Sequence, residues 1–196
     1  MINKLSYIFG SKTKAQELVL LQHNLKDVVR LGFYEHELPN VEKFCRENGL
    51  HLVKSKFKVI LSEENYSNKG LRIQENDKRE GMFFVYISKD EQKSWLASYY
   101  ELMQNDKDLG LLLGYPKCCV DFFCQNFSGD NTNLQLTPTN MWTNLTKREK
   151  DQVLISHFPC SSGCRESVSM GMKYLELLVK VDEERAKELA ANLRTA

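Results

Sequence analysis

The spacing of apolar residues along the chain shifts between the helical period and the two-residue period of a strand, and each shift marks an expected element. Thr13-Lys14-Ala15-Gln16 has the form of a capping box. It opens a stripe of Leu18, Leu21, Leu25, Val28 and Val29 that predicts a helix running to about Arg30. A short helix is expected over residues 41–48, after Pro39-Asn40 and before Gly49. Over residues 51–62 the period becomes two, with Val53, Phe57, Val59 and Leu61 on one face and Lys54, Lys56 and Lys58 on the other. The lysine row reads as an exposed or edge-protecting face, with a binding surface as the alternative. Residues 65–70 read as a turn, 71–74 as a second strand, 77–81 as a turn and 82–87 as a strand. Ser88-Lys89-Asp90-Glu91 is a second capping box, starting a helix to about Met103 through Trp95, Leu96, Tyr99 and Leu102, and Trp95, Tyr99 and Tyr100 read as core rather than as a stacking platform.

Downstream, Leu109–Leu113 forms a brief apolar helix stopped by Gly114, and residues 128–144, rich in Asn, Thr, Gly and Pro, form a long loop. The box Thr146-x-x-Glu149 precedes a short segment to His157, and the last helix or helices cover about residues 163–193. The fold class that follows is α+β: a helix-rich single domain, 1–196, around a small antiparallel sheet of two or three strands. Residues 1–80 supply N-terminal helices and strands, and 82–196 a cysteine-motif region of the same domain.

Composition narrows the function. A chain of 196 residues with 42% apolar and 27% charged content can bury a core without covalent staples. Lys plus Arg (27) nearly cancels Asp plus Glu (26), so no global field favours nucleic acid or an anionic membrane. The longest apolar runs, such as Leu18–Leu21, are far too short to span a bilayer, and residues 1–10 lack the continuous apolar core of a secretory signal. A cytoplasmic protein is expected, with an unidentified small molecule or protein as partner. In a reducing compartment six cysteines point towards metal or redox chemistry rather than structural disulfides.

Two segments concentrate that chemistry. In Gly114-Tyr115-Pro116-Lys117-Cys118-Cys119, Gly114 ends one helix and Pro116 suits the first turn of the next. Cys118 and Cys119 then sit where free backbone N–H groups, the helix dipole and Lys117 favour thiolate. In His157-Phe158-Pro159-Cys160-Ser161-Ser162-Gly163-Cys164-Arg165-Glu166-Ser167, Cys160 and Cys164 share a face if that turn is helical. Four thiolates suit zinc, and three or four suit an iron–sulfur cluster. Cys118, Cys119, Cys160 and Cys164 are therefore the candidate ligands, with Tyr115, Arg165 and Ser167 as surroundings and His157 as ligand or acid/base. A Cys-Cys plus Cys-x₃-Cys spacing matches no standard zinc pattern, so alternatives stay open. One is a metal-free redox or nucleophilic thiol, Cys118 or Cys160, with His157 as base; another is an interaction module whose cysteines are structural. Cys124 and Cys45 read as core, and Asp121 as a solvated charge or a partner of Lys117. His23, His36 and His51 lack ligand-like company.

Taken together, Phe84-Val85-Tyr86-Ile87-Ser88-Lys89-Asp90-Glu91, Leu109-Gly110, Leu113-Gly114-Tyr115-Pro116-x-Cys118-Cys119-x-x-Phe122-Phe123 and His157-x-Pro159-Cys160-Ser161-x-x-Cys164-x-x-Ser167 resemble an uncharacterised archaeal and bacterial family of unknown function. The resemblance covers roughly residues 82–180. It includes the same four cysteines and asks for none at position 124. It implies the site without implying a reaction, and the first eighty residues match nothing in it.

Overall fold

A computed structural model describes residues 1–60 and 71–193. The chain groups into two compact units, one of residues 1–20, 115–127 and 134–196, the other of residues 21–114 and 128–133.

The second unit is built on a sheet. Its strands are β1 (Val28–Phe33), β2 (His51–Ile60), β3 (Leu71–Gln74) and β4 (Met82–Ser88), all antiparallel in the order β1-β4-β2-β3. The sheet therefore has four strands where the sequence pattern predicts two or three. The extra strand is β1, whose Val28 and Val29 extend the predicted helical stripe. Asn24 takes a left-handed conformation (φ 59°) just after the helix, and the β-branched run that follows pairs with β4. The predicted turn at residues 65–70, and Leu61 with it, lie outside the described residues.

The lysine row of β2 is not one solvated face. The register shifts between Lys54 and Lys58, where the Ser55 hydroxyl donates to Phe57 O (2.6 Å) and accepts from the Phe84 N–H (3.1 Å). The shift breaks the alternation beyond it. Lys58 is consequently buried, its ammonium donating to the carbonyls of Asp77 (2.5 Å) and Arg79 (3.0 Å), and Lys54 pairs with Glu75 at 2.8 Å. Lys56 alone of the three stays exposed.

Helices precede the sheet and lie within its connections: α1 (Ile2–Phe9) and α2 (Lys12–Gln22) at the start, then α3 (Leu38–Glu47) between β1 and β2. After β4 come α4 (Glu91–Leu102) and α5 (Asp106–Leu112). The cap of α4 is Asp90 rather than Ser88: its carboxylate accepts the N–H groups of Gln92 and Lys93. The face that α4 buries is also the reverse of the expected one. Ser94, Ala97, Ser98 and Glu101 point inward, whereas Trp95 and Tyr99 are 54% and 55% exposed. Small side chains let the helix approach the sheet closely, and Ser94 Oγ donates to His51 O at 3.2 Å. Glu101 anchors the inward face. It accepts from Arg30 Nε (2.5 Å) and Nη2 (2.6 Å) and from the Tyr86 hydroxyl (2.8 Å). A buried carboxylate is tolerable only with such partners.

The first unit contains α1, the start of α2, α6 (Lys117–Asn126), α7 (Arg165–Val181) and α8 (Glu183–Asn192). Ile2, Ala15, Val19, Leu154, Leu178, Ala186, Leu189 and Leu193 form its core. The helix α2 starts at Lys12, one residue before the predicted box. Ser11 Oγ accepts from the Lys14 N–H, and the Asp151 carboxylate accepts from the N–H groups of Lys12 and Thr13. The predicted Thr146 box makes no helix. Asn144 takes the Thr146 N–H and hydroxyl instead, holding a turn. Among the described residues no helix is long and apolar enough to cross a membrane.

Candidate metal centre

The centre lies wholly within the first unit, and its first half is a helix start. Gly114, left-handed at φ 78°, closes α5, and Pro116 is the N-cap of α6. Cys118 and Cys119 thus occupy the first turn, as the sequence predicts. The second half differs from the prediction. Residues 160–164 form a turn, not a helical face, with the Cys164 N–H donating to Ser161 O (3.1 Å) and Cys164 serving as the N-cap of α7. The turn bends the chain back so that both sulfurs meet the first pair.

All four sulfurs lie within 4.8 Å of one another. Cys118 and Cys119 are 3.9 Å apart, Cys118 and Cys164 3.7 Å, and Cys119 and Cys164 3.6 Å. The Cys160 N–H donates to Cys119 Sγ at 3.3 Å. Cys119 and Cys164 are buried, Cys160 is half-buried and Cys118 is exposed. None of the six cysteines is in a disulfide.

Behind the sulfurs stands a short polar chain. Ser167, fully buried in the first turn of α7, lies 3.2 Å from Cys119 Sγ and 2.8 Å from His157 Nε2. With Cys119 as thiolate the direction is fixed: the hydroxyl donates to sulfur, and His157 Nε2–H donates to the hydroxyl. The Tyr115 ring lies over the His157 ring, with centroids 5.0 Å apart. Ser167 therefore lies against Cys119, and Tyr115 against His157. His157 touches Ser167 behind the sulfurs and is not among the mutually close ligand atoms. Arg165 is exposed.

A brace that sequence reasoning missed holds the turn. The carbonyl of Ser162 accepts from Thr143 Oγ1 (2.6 Å) and Asn140 Nδ2 (3.0 Å), and the Ser162 hydroxyl donates to Thr137 O. Asn140 in turn caps the 3-10 turn Met141–Thr143. That turn lies directly on α7 because position 171 is glycine: a Cβ there would stand 3.0 Å from Trp142 O. The part of the long loop within this unit is thus a support for the centre. Asn140, two residues before Trp142, was its one visible signal.

Cys124 is not core. The buried residues of α6 are Cys119 and Val120, so the helix has left the interior by position 124, where the side chain is exposed. Cys45 is buried as expected, and burial pushes its thiol up to about 12. Lys117 pairs with Asp121 at 2.7 Å, one turn along α6.

Electrostatics explain what the cluster needs. Burial raises the Cys119 thiol well above its ordinary range and outweighs the donors from Ser167 and Cys160. Burial and the neighbouring sulfurs push Cys160 up to about 11. Cys164 goes the other way, to about 7: burial opposes ionisation, but the Ser167 hydroxyl and backbone N–H and the thiols of Cys119 and Cys160 stabilise its thiolate. Two unit charges ~4 Å apart repel by about 4 kcal/mol at the effective dielectric of a protein surface. Without a cation Cys119 and Cys160 therefore hold their protons, and a divalent ion reverses that balance.

Residues 87–193, just over half of the chain, match a family described as a protein of unknown function, DUF483. No curated protein and no solved structure matches the chain.

Proposed function

We propose that this chain, which belongs to the DUF483 family, is a cytoplasmic metalloprotein holding one ion, zinc or a single iron, between Cys118, Cys119, Cys160 and Cys164. The observation that carries the reading is the sulfur spacing. Four thiolates ~2.3 Å from a shared ion in a tetrahedron have edges of about 3.8 Å. The three separations of 3.6–3.9 Å fit that figure. A two- or four-iron cluster puts a second metal and its sulfides between thiolates on different irons, setting them roughly 6 Å apart. The limit of 4.8 Å across all four sulfurs disfavours either cluster.

The donor set supports a stable centre. Four sulfurs close the coordination sphere, as in structural zinc sites. The ion would tie the start of α6, the 160–164 turn and the start of α7 into one knot. His157 and Ser167 then act as an outer shell that orients Cys119, and His157 has no proton-transfer role. The test is elemental and sulfide analysis of anaerobically purified protein. One zinc or one iron per chain without acid-labile sulfide is expected. Two or more irons with sulfide would refute the single ion, and metal-free protein would return the argument to a free thiol.

A further inference from the structure

We propose that Cys118 is the reactive sulfur of the centre, a metal-bound thiolate that attacks soft carbon electrophiles while its three partners stay inert; this rests on the single-ion reading above. The four sulfurs share a chemical type but not their surroundings. Cys119 is 2% exposed and takes two donors, the Ser167 hydroxyl at 3.2 Å and the Cys160 N–H at 3.3 Å. Cys164 is 6% exposed, and the backbone N–H of Ser167 bears on it. Cys160 is half-buried. Cys118 is exposed, and among the described residues its hydrogen-bond contacts are the other three sulfurs, with the charge of the adjacent Lys117 also bearing on it. The ammonium of the adjacent Lys117 is engaged by Asp121 at 2.7 Å.

Donors pointed at a thiolate draw off its lone-pair density, and burial blocks approach along that lone pair. Cys118 has neither restraint. Metal ligation also keeps it deprotonated with no adjacent base, which fits the position of His157 behind Ser167. The step balances without an oxidant. A lone pair of Cys118 Sγ forms the S–C bond, the bond from carbon to its leaving group breaks, and the leaving group departs with that pair. The product is a neutral thioether, a weaker ligand than the thiolate it replaces. The substrate class is therefore an alkyl carbon bearing a good leaving group.

The probe is iodoacetamide, at less than one equivalent and neutral pH, on the full chain carrying Cys124→Ser to remove an exposed competitor outside the centre. Zinc and iron content are measured before the reagent is added, and the alkylated peptides are mapped by mass spectrometry over time. Cys118 is expected to react roughly tenfold or more faster than Cys119, Cys160 or Cys164. Protein loaded with one zinc or one iron that reacts first elsewhere, evenly over the four, or not at all overturns this assignment and leaves the single-ion reading standing. Protein that holds neither zinc nor iron overturns both.

Discussion

The hydroxyl of Ser167 is the best lever on the centre, because it is fully buried and joins two groups of different kinds. In Ser167→Ala, Cys119 loses a donor that stabilises its charge, and His157 Nε2 loses its 2.8 Å partner. Two separable effects should follow. Losing an outer-shell partner lowers metal affinity ~10–100-fold, equivalent to about 1.4–2.7 kcal/mol. Leaving a buried ring nitrogen unsatisfied costs the fold about 1–3 kcal/mol, even without metal. Competition against a chelator of known zinc affinity measures the first effect. Thermal unfolding of metal-free protein, followed by circular dichroism, measures the second. Ser167→Thr keeps the hydroxyl and should retain affinity to within a few fold, its added methyl costing stability in a fully buried site. If Ser167→Ala stays folded and binds zinc within about twofold of the parent, the relay from His157 through Ser167 to Cys119 has no role in ligation.

Three further outcomes follow. Loading the metal-free protein at pH 8 should release at least two protons per chain, from Cys119 and Cys160, whose thiols lie above their ordinary range; calorimetry in buffers of different ionisation enthalpy counts them, and affinity should rise with pH. Gly171→Ala should push the Met141–Thr143 turn off α7 and cost about 1–3 kcal/mol in denaturant midpoint and slope analysis, with weaker zinc retention; unchanged stability would mean that the brace yields freely. Burial disfavours the charged form of Glu101, but Arg30, Tyr86 and Arg72 outweigh it and hold the carboxyl below its usual range. The stability it contributes is therefore complete above that range and is lost as pH falls through the depressed value. Glu101→Gln should cost about 3 kcal/mol or more at neutral pH and flatten the acid limb of the unfolding profile.

The centre was legible because helix-start chemistry is local. Gly114 and Pro116 fix the entry to α6, so the placement of Cys118 and Cys119 follows from a few neighbours. The 160–164 turn was less legible, since a four-residue spacing suits a helix or a tight turn equally. In the fold, β1 was hidden because Val28 and Val29 satisfy a helical stripe as well as a strand, and pairing with β4 decides between them. The burial of α4 was misread for a different reason. Periodicity locates a stripe but not which side faces the sheet, and the buried hydrogen bonds of Glu101 and Ser94 outweigh the apolar area of Trp95 and Tyr99. The brace escaped because its contacts are side-chain bonds to a carbonyl about twenty residues away.

The direct seating of Trp142 on Gly171 has an optical consequence. The chain has two tryptophans. Trp142 sits in the brace of the first unit, packed against that unit's core, whereas Trp95 belongs to the second unit and is largely open to solvent. Their emission should differ in colour and in access to quenchers. The protein thus carries a native reporter for each unit, and the bluer signal watches the cysteine knot with no label attached.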